Sequence, residues 1–162
     1  MKQDVENAIR YYSMNKSFME EAYKEALLAF SKNEIPVGCV IVKDNKIIGR
    51  GHNLKETSKL VYSHAEINAI ADASKNLNNW RLNDCSLYVT LEPCAMCMGA
   101  IMQSQISNVY FSVFDKAMGC CGSKLNLFEY NFQNPKINVF QGLLEEESKS
   151  LLQEFFKKLR SK

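Results

Sequence analysis

The spacing of hydrophobic residues changes several times along the chain, and each change marks a predicted element. Near the start, apolar side chains recur at helical intervals. They are Phe18, Ala22, Ala26, Leu27 and Phe30. Ser17 and Glu20 fit a capping box at the start of this helix. Pro36 disfavours helical geometry in the residue before it, so we expect the helix to end before that point. Residues 1–16 are compatible with a short additional helix.

A β-hairpin is predicted next. Residues 37–42 are apolar and rich in β-branched side chains, residues 43–46 have turn character, and Ile47 and Ile48 resume an extended pattern. Residues 51–53 end its second strand. The remaining predicted elements are helices over 63–73 and 93–102, strands over 87–91, 109–114 and 137–140, and an amphipathic helix over 143–159. Pro93 suits the first turn of its helix.

The order of these elements is α-ββ-α-β-α-β-β-α. Strands that alternate with helices favour a layered α/β fold with a mixed sheet. With 162 residues, 46% of them hydrophobic and 23% charged, the chain is expected to fold as one domain over residues 1–162. No apolar run is long enough to cross a bilayer, and residues 1–10 lack the pattern of a signal peptide. We therefore expect a cytoplasmic protein without membrane association.

The net charge of +2 neither indicates nor excludes nucleic-acid binding, because a local basic patch is compatible with a balanced total. The six cysteines are not expected to form disulfides in a cytoplasmic chain that is long enough to build a core. Cys39 and Cys85 lie in apolar runs and are predicted to be buried. Cys120 and Cys121 flank glycines and are predicted to be loop residues with at most a minor structural role.

Cys94 and Cys97 stand three positions apart at a predicted helix start, so both sulfur atoms can reach one ion. The positive end of the helix dipole favours their thiolate forms. On this pair alone, metal binding is about as well supported as its two alternatives together, a redox pair or two buried cysteines.

His64 and Glu66 stand at another predicted helix start. Taken singly, His64 fits a cap or surface residue, and Glu66 fits a capping box with Ser63. Together with Cys94 and Cys97, however, they favour a metal site over these separate interpretations. Two cysteines and one histidine supply three zinc ligands and leave a fourth position for water. H-x-E followed by P-C-x-x-C is the signature of zinc deaminases.

The sequence resembles the cytidine deaminase superfamily and, within it, the bacterial tRNA adenosine deaminases. The resemblance extends from about residue 17 to the end. Its matching stretches are residues 35–38, 51–53, 64–70 and 88–101, then Asp115, Gly119, residues 122–123 and residues 151–156. It implies a three-layer α/β/α sandwich around a five-stranded mixed sheet.

The resemblance also implies an activity: hydrolytic deamination of adenosine to inosine at the wobble position of a tRNA, with an arginine tRNA anticodon loop as the partner. Zn²⁺ would be held by His64, Cys94 and Cys97, and Glu66 would be the catalytic acid and base. Asn53, Val37 and Asp115 would bind substrate, and a homodimer is expected. One departure concerns the loop after Asp115. The family usually has a lysine where this chain has Ala117, and Lys116 stands one place earlier, so a contact to substrate phosphate is expected to be shifted or lost.

Three alternatives stay open. A deaminase of free guanine, free cytosine or a nucleotide would share the metal motif, although a basic C-terminal helix with Phe155 and Phe156 favours RNA. A non-catalytic protein with a structural zinc would have no use for Glu66. A thioredoxin-like redox protein would explain Cys94 and Cys97 but not His64 and Glu66.

Overall fold

The computed structural model describes residues 1–130 and 136–162. Apart from two short additional helical segments, its elements follow the order that the hydrophobic pattern predicts. They are α1 (Lys2–Ser31), β1 (Gly38–Lys43), β2 (Lys46–His52), α2 (Lys55–Ser58), α3 (Ala65–Leu77), β3 (Ser86–Leu91), α4 (Ala95–Gln103), β4 (Asn108–Val113), a 3₁₀ turn (Leu127–Glu129), β5 (Asn138–Gln141) and α5 (Glu145–Arg160).

The five strands form one mixed sheet in the order β2-β1-β3-β4-β5. β1 pairs antiparallel with both β2 and β3, whereas β3, β4 and β5 run parallel. The predicted hairpin is confirmed, and its turn consists of Asp44 and Asn45, both with positive φ. Two such residues form the tight turn whose twist matches that of the flanking strands.

Helices cover both faces of the sheet, which confirms the three-layer α/β/α architecture. On one face, alanines of α3 and apolar residues of α4 pack on inward side chains of the strands, including Ile41, Leu87 and Phe111. On the other face, Met19 and Ala22 of α1 pack on Val40 and Tyr88. α5 lies on this second face beside α1, where the Phe30 and Phe155 rings meet edge to face with their centroids 6.0 Å apart.

Two glycines allow helices to approach the hairpin closely. A Cβ atom at Gly38 would lie 2.0 Å from the Ala22 carbonyl oxygen of α1. A Cβ atom at Gly51 would lie 2.4 Å from the Ala69 nitrogen of α3. Because both glycines lie at the end of the hairpin next to Val37 and Asn53, these contacts fix the position of that end between the two helix layers.

The N-terminal region differs from the prediction. α1 is one continuous helix of 30 residues, so the prediction of a helix start with a capping box at Ser17 and Glu20 was wrong. The Ser17 hydroxyl instead donates to the Met14 carbonyl oxygen within the helix. Contacts distant in sequence extend the helix: the Tyr11 hydroxyl contacts that of Tyr110, and the Tyr88 hydroxyl donates to the Asn15 side chain.

The other differences are local. Pro93 precedes the N-cap residue Cys94 rather than lying in the first turn of α4. The short helix α2 and the 3₁₀ turn were not predicted, because neither is long enough to show a hydrophobic period. Within residues 1–130 and 136–162, no helix has the length and apolar character needed to cross a membrane.

Candidate active site

Three potential metal ligands meet at the N-termini of two helices. His64 is the N-cap residue of α3, Cys94 is the N-cap residue of α4, and Cys97 lies in the first turn of α4. His64 Nδ1 lies 3.7 Å from Cys94 Sγ and 3.5 Å from Cys97 Sγ. Neither cap side chain bonds to the first amides of its helix. Both caps are therefore available to bind a common ion.

These distances fit zinc. Tetrahedral zinc with bonds of about 2.3 Å to sulfur and about 2.0 Å to nitrogen places those two atoms about 3.5 Å apart. The ligand atoms of His64, Cys94 and Cys97 all lie within 4.8 Å of one another, and no other such cluster occurs among the described residues. Three protein ligands leave one position of a tetrahedral ion for water, as in catalytic rather than structural zinc sites.

The thiols of Cys94 and Cys97 have unequal proton affinities. A hydrogen bond from the Cys97 thiol lowers the pKa of Cys94 to about 4, and the same contact raises the pKa of Cys97. Hydrogen bonding to Cys94 also raises the pKa of His64. Cys94 is therefore the more acidic of the two thiols, and a thiol that coordinates a metal is deprotonated outright.

Glu66 is the second residue of α3, and its side chain is directed to the same site. Only 4% of the residue is exposed. Burial raises the pKa of Glu66 to about 7. The capping-box alternative is wrong, because α3 has no side-chain cap and the Ser63 hydroxyl contacts Asn68 instead. Glu66 is thus a buried carboxyl group with no structural capping role beside a three-ligand site.

A pocket of about 170 Å³ opens above these residues. The predicted substrate-binding residues Val37, Asn53 and Asp115 all line it, although they come from three separate segments. Its lining residues are Ile35, Val37, Asn53, Lys55, His64, Ala65, Glu66, Leu91, Glu92, Cys94, Asp115 and Met118. The pocket therefore brings together apolar side chains, an amide, carboxyl groups and two potential metal ligands.

Comparison with known proteins assigns this arrangement to a family. Residues 12–113 match the family model of the cytidine and deoxycytidylate deaminase zinc-binding region. The chain belongs to this family of zinc-binding deaminases. It is 46% identical over 145 residues to a tRNA-specific adenosine deaminase of Bacillus subtilis (strain 168), with 90% of each chain covered.

Two solved structures have the same fold. One, from work on A-to-I editing by tRNA:A34 deaminases at the wobble position, superposes with a TM-score of 0.80 at 37% identity, covering 83% of this chain and 98% of the other. The other is a guanine deaminase from Bacillus subtilis, with a TM-score of 0.60 at 31% identity, covering 90% of this chain and 93% of the other. Both share the fold of this deaminase.

One wall of the deaminase pocket is held by Glu34, which the sequence analysis missed. Glu34 is fully buried between α1 and α2. Its carboxylate accepts hydrogen bonds from the Thr57 amide at 2.6 Å and the Glu56 amide at 3.2 Å. The Asn53 side-chain amide lies 3.5 Å from the same carboxylate. Glu34 thus anchors the segment that carries Asn53.

The opposite wall is held by Glu92, which is also buried. Glu92 stood within a motif quoted for the family resemblance, but the sequence analysis gave it no role of its own. Its carboxylate accepts hydrogen bonds from backbone amides of the loop over residues 115–123. That loop carries Asp115 and Met118, which both line the pocket.

Asp115 has a structural contact in addition to its place in the pocket. Its Oδ1 atom accepts hydrogen bonds from the amides of Ala117 and Met118 at 3.0 and 3.2 Å. Lys116 is not among the residues that line the pocket, and it lines a neighbouring groove beside α5. The change from the usual family lysine to Ala117 therefore leaves the turn after Asp115 intact.

The remaining candidates lie outside the pocket. His52 contacts the Glu25 carboxylate through Nδ1 at 2.8 Å and Lys32 through Nε2 at 2.9 Å, so it belongs to a polar cluster between α1 and β2. Cys39 and Cys85 are buried, as predicted, and Cys120 and Cys121 lie in a loop but are also buried. All six cysteines have free thiols.

Proposed function

We propose that this deaminase converts adenosine to inosine by hydrolysis at the wobble position of a tRNA anticodon. The observation that carries the proposal is Glu66, a buried carboxyl group beside a three-ligand zinc site at the base of a small pocket. The tRNA substrate is supported by relatives of 43–46% identity named tRNA-specific adenosine deaminase.

The chemistry divides between the metal and Glu66. His64, Cys94 and Cys97 would hold the zinc, which when bound would lower the pKa of a coordinated water toward ~7. Glu66 takes a proton from the attacking water and delivers it to N1 of the adenine as the water oxygen bonds to C6. Glu66 then takes the remaining proton from the new C6 hydroxyl group and passes it to the departing amino group. The C6–N bond breaks, ammonia leaves and the base becomes hypoxanthine.

Three further residues position the base in this proposal. Val37 contributes an apolar surface to the pocket, and the Asn53 amide hydrogen-bonds to the edge of the base. Asp115 contacts the substrate from the opposite side. Because Asp115 Oδ1 already accepts two amides of its own loop, Oδ2 is the atom proposed to face the substrate.

The shape of the site favours an unpaired nucleotide. An adenosine must leave its stack to place C6 beside a buried zinc, and an anticodon loop offers such bases. A groove beside the pocket runs between the loop at Asp115 and α5, and it includes Lys149, Phe156 and Arg160. Basic and aromatic side chains there suit the backbone and bases of RNA. The proposed partner is the anticodon loop of an arginine tRNA.

A cytoplasmic homodimer completes the proposal. Its support is an exposed apolar segment next to the zinc ligand His64, formed by Leu60, Val61 and Tyr62, which are 41%, 68% and 51% exposed. Contiguous apolar surface of this kind is typical of a protein–protein contact.

A second candidate function is deamination of a free purine base, because a guanine deaminase shares the fold at 31% identity. One experiment separates the two candidates. The purified protein is incubated with a bacterial tRNA pool, and inosine is measured by nuclease digestion and mass spectrometry, with Glu66→Ala as the inactive control. We expect inosine in the anticodon fragment of an arginine tRNA. Turnover of free guanine or cytosine with no inosine in any tRNA would contradict the proposal and leave the zinc site intact.

A further inference from the structure

We propose that Glu92 is a positioning residue, which holds the loop over residues 115–123 against the zinc-binding end of α4 and thereby sets one wall of the substrate pocket. The proposal rests on the proposed function only for its kinetic measurements. Its other two measurements, amide exchange in the loop and zinc content, do not depend on the substrate.

The carboxylate of Glu92 is surrounded by donors from this loop. The Asp115 amide donates to Oε2 at 2.8 Å, and the amides of Cys121 and Ser123 donate to Oε1 at 2.9 and 3.0 Å. The Ser123 hydroxyl also donates to Oε2. A carboxylate has about four acceptor positions, so these four donors use its whole capacity.

Glu92 also stands at the start of the metal-binding segment. It directly precedes Pro93 and Cys94, and the Pro93 carbonyl oxygen accepts a hydrogen bond from the Cys120 amide at 2.8 Å. Cys94 itself pairs with Gly119 in an isolated antiparallel bridge. The loop and the zinc ligand are therefore joined at three consecutive positions.

The fit between the loop and the carboxylate is close. A Cβ atom at Gly119 would lie only 2.2 Å from Glu92 Oε2, so any larger residue there would push the loop away. Between Asp115 and the 3₁₀ turn at Leu127, the loop contains no helix or strand of its own. Glu92 and the neighbouring backbone contacts thus take the place of regular secondary structure in fixing Asp115 and Met118.

The same contacts indicate that Glu92 and Glu66 have different roles. Both carboxyl groups are buried and line one pocket. Glu92 has its oxygen atoms occupied by loop donors, whereas no loop amide is bonded to Glu66. Glu92 is therefore available to hold the wall of the pocket but not to carry protons to the substrate.

The test compares Glu92→Gln with Glu129→Gln, which makes the same chemical change on an exposed glutamate just after the loop. A glutamine has one acceptor oxygen, and its NH₂ group would face loop donors, so at least two contacts are lost. For Glu92→Gln we expect faster amide exchange over residues 115–123 and an unchanged zinc content. We also expect KM for an anticodon stem-loop RNA to rise about tenfold, with kcat within about threefold, since each unmet buried donor weakens the bound geometry.

Unchanged exchange and KM would overturn the proposal, as would a loss of kcat at constant KM, which would make Glu92 catalytic. If Glu92→Gln does not fold, Ser123→Ala removes a single donor, and we expect about a threefold rise in KM with faster exchange in the same loop. No change in either quantity for Ser123→Ala would also overturn the proposal. If the wild-type protein makes no inosine, the proposed function fails, and the exchange and zinc measurements still decide the role of Glu92.

Discussion

The carboxylate of Glu34 accepts a hydrogen bond from the Thr57 amide at 2.6 Å, although the two residues lie 23 positions apart in the sequence. The contact connects the turn after α1 to the short helix α2 that follows Asn53. Because Glu34 is fully buried, its oxygen atoms bond to these amides rather than to bulk water. The position of Asn53 therefore depends on a residue that does not itself line the pocket.

We expect Glu34→Gln to lower the free energy of unfolding by about 1–3 kcal/mol, because at least one buried amide loses its acceptor. It should also raise KM for RNA through displacement of Asn53, with the zinc content unchanged. Denaturant unfolding and steady-state kinetics measure both effects. Glu56→Gln is the matched control, because Glu56 is an exposed residue of α2, the helix whose amides bond to Glu34. A KM equal to that of the wild type would show that Asn53 is held without Glu34.

We expect Glu66→Gln to keep its zinc and its fold while losing activity by ~10²–10⁴-fold, because a general acid and base has been removed. Metal analysis and single-turnover deamination measure this. Turnover near the wild-type level, with a lower melting temperature, would give Glu66 a purely structural role.

Glu66→Gln should also change how stability depends on pH in the zinc-free protein. Burial raises the pKa of Glu66 from 4.5 to about 7 in the folded state. The folded state thus binds this proton more tightly than the unfolded state, and the associated stability is lost as the pH rises from 4.5 through about 7. The melting temperature of the wild type should therefore fall relative to that of Glu66→Gln over this range. A constant difference between the two would contradict the raised pKa.

Zinc removal should destabilise the protein. We expect about one zinc per chain, and a chelator should lower the melting temperature reversibly, because the ion joins α3 to α4. Cys94→Ser should lose the metal, whereas Cys85→Ala, at a buried cysteine outside the cluster, should keep it. Plasma emission spectrometry measures the zinc content, and calorimetry measures the melting temperature. A metal-free protein with a disulfide between Cys94 and Cys97 would instead support the redox alternative.

The C-terminal helix should contribute to RNA binding through its exposed cations. Deleting residues 155–162 would also remove Phe155, which is buried against Phe30, so point variants are preferable. We expect Lys157→Ala with Arg160→Ala to raise KM for tRNA and to reduce its dependence on salt, because fewer counterions are released on binding. Lys46→Ala, at the hairpin turn on the far end of the strands from the pocket, is the control. Equal salt dependence in all variants would contradict an RNA contact by α5.

The strands, the hairpin turn and the three residues of the candidate zinc site could be predicted from the sequence, because each depends on spacing within a short segment. Asp44 and Asn45 indicate their turn locally, and His64, Cys94 and Cys97 each stand at a recognisable helix start. Glu34 and Glu92 could not be given their roles, since their partners lie 19–31 positions away and have no distinctive residue type. The extension of α1 from Ser17 toward the N-terminus could not be predicted for a similar reason. Tyr11 and Asn15 have their partners on β4 and β3, which are distant in sequence.

The proposed zinc ligands come from α3 and α4, two helices that follow different strands of the sheet. His64 follows β2, Cys94 follows β3, and the two strands are joined through β1, which pairs with both. An unfolded or half-folded chain therefore holds no site with all three ligands in place. Metal capture during refolding should be a late event, and the rate at which zinc is taken up would report when β1 and β3 have found each other.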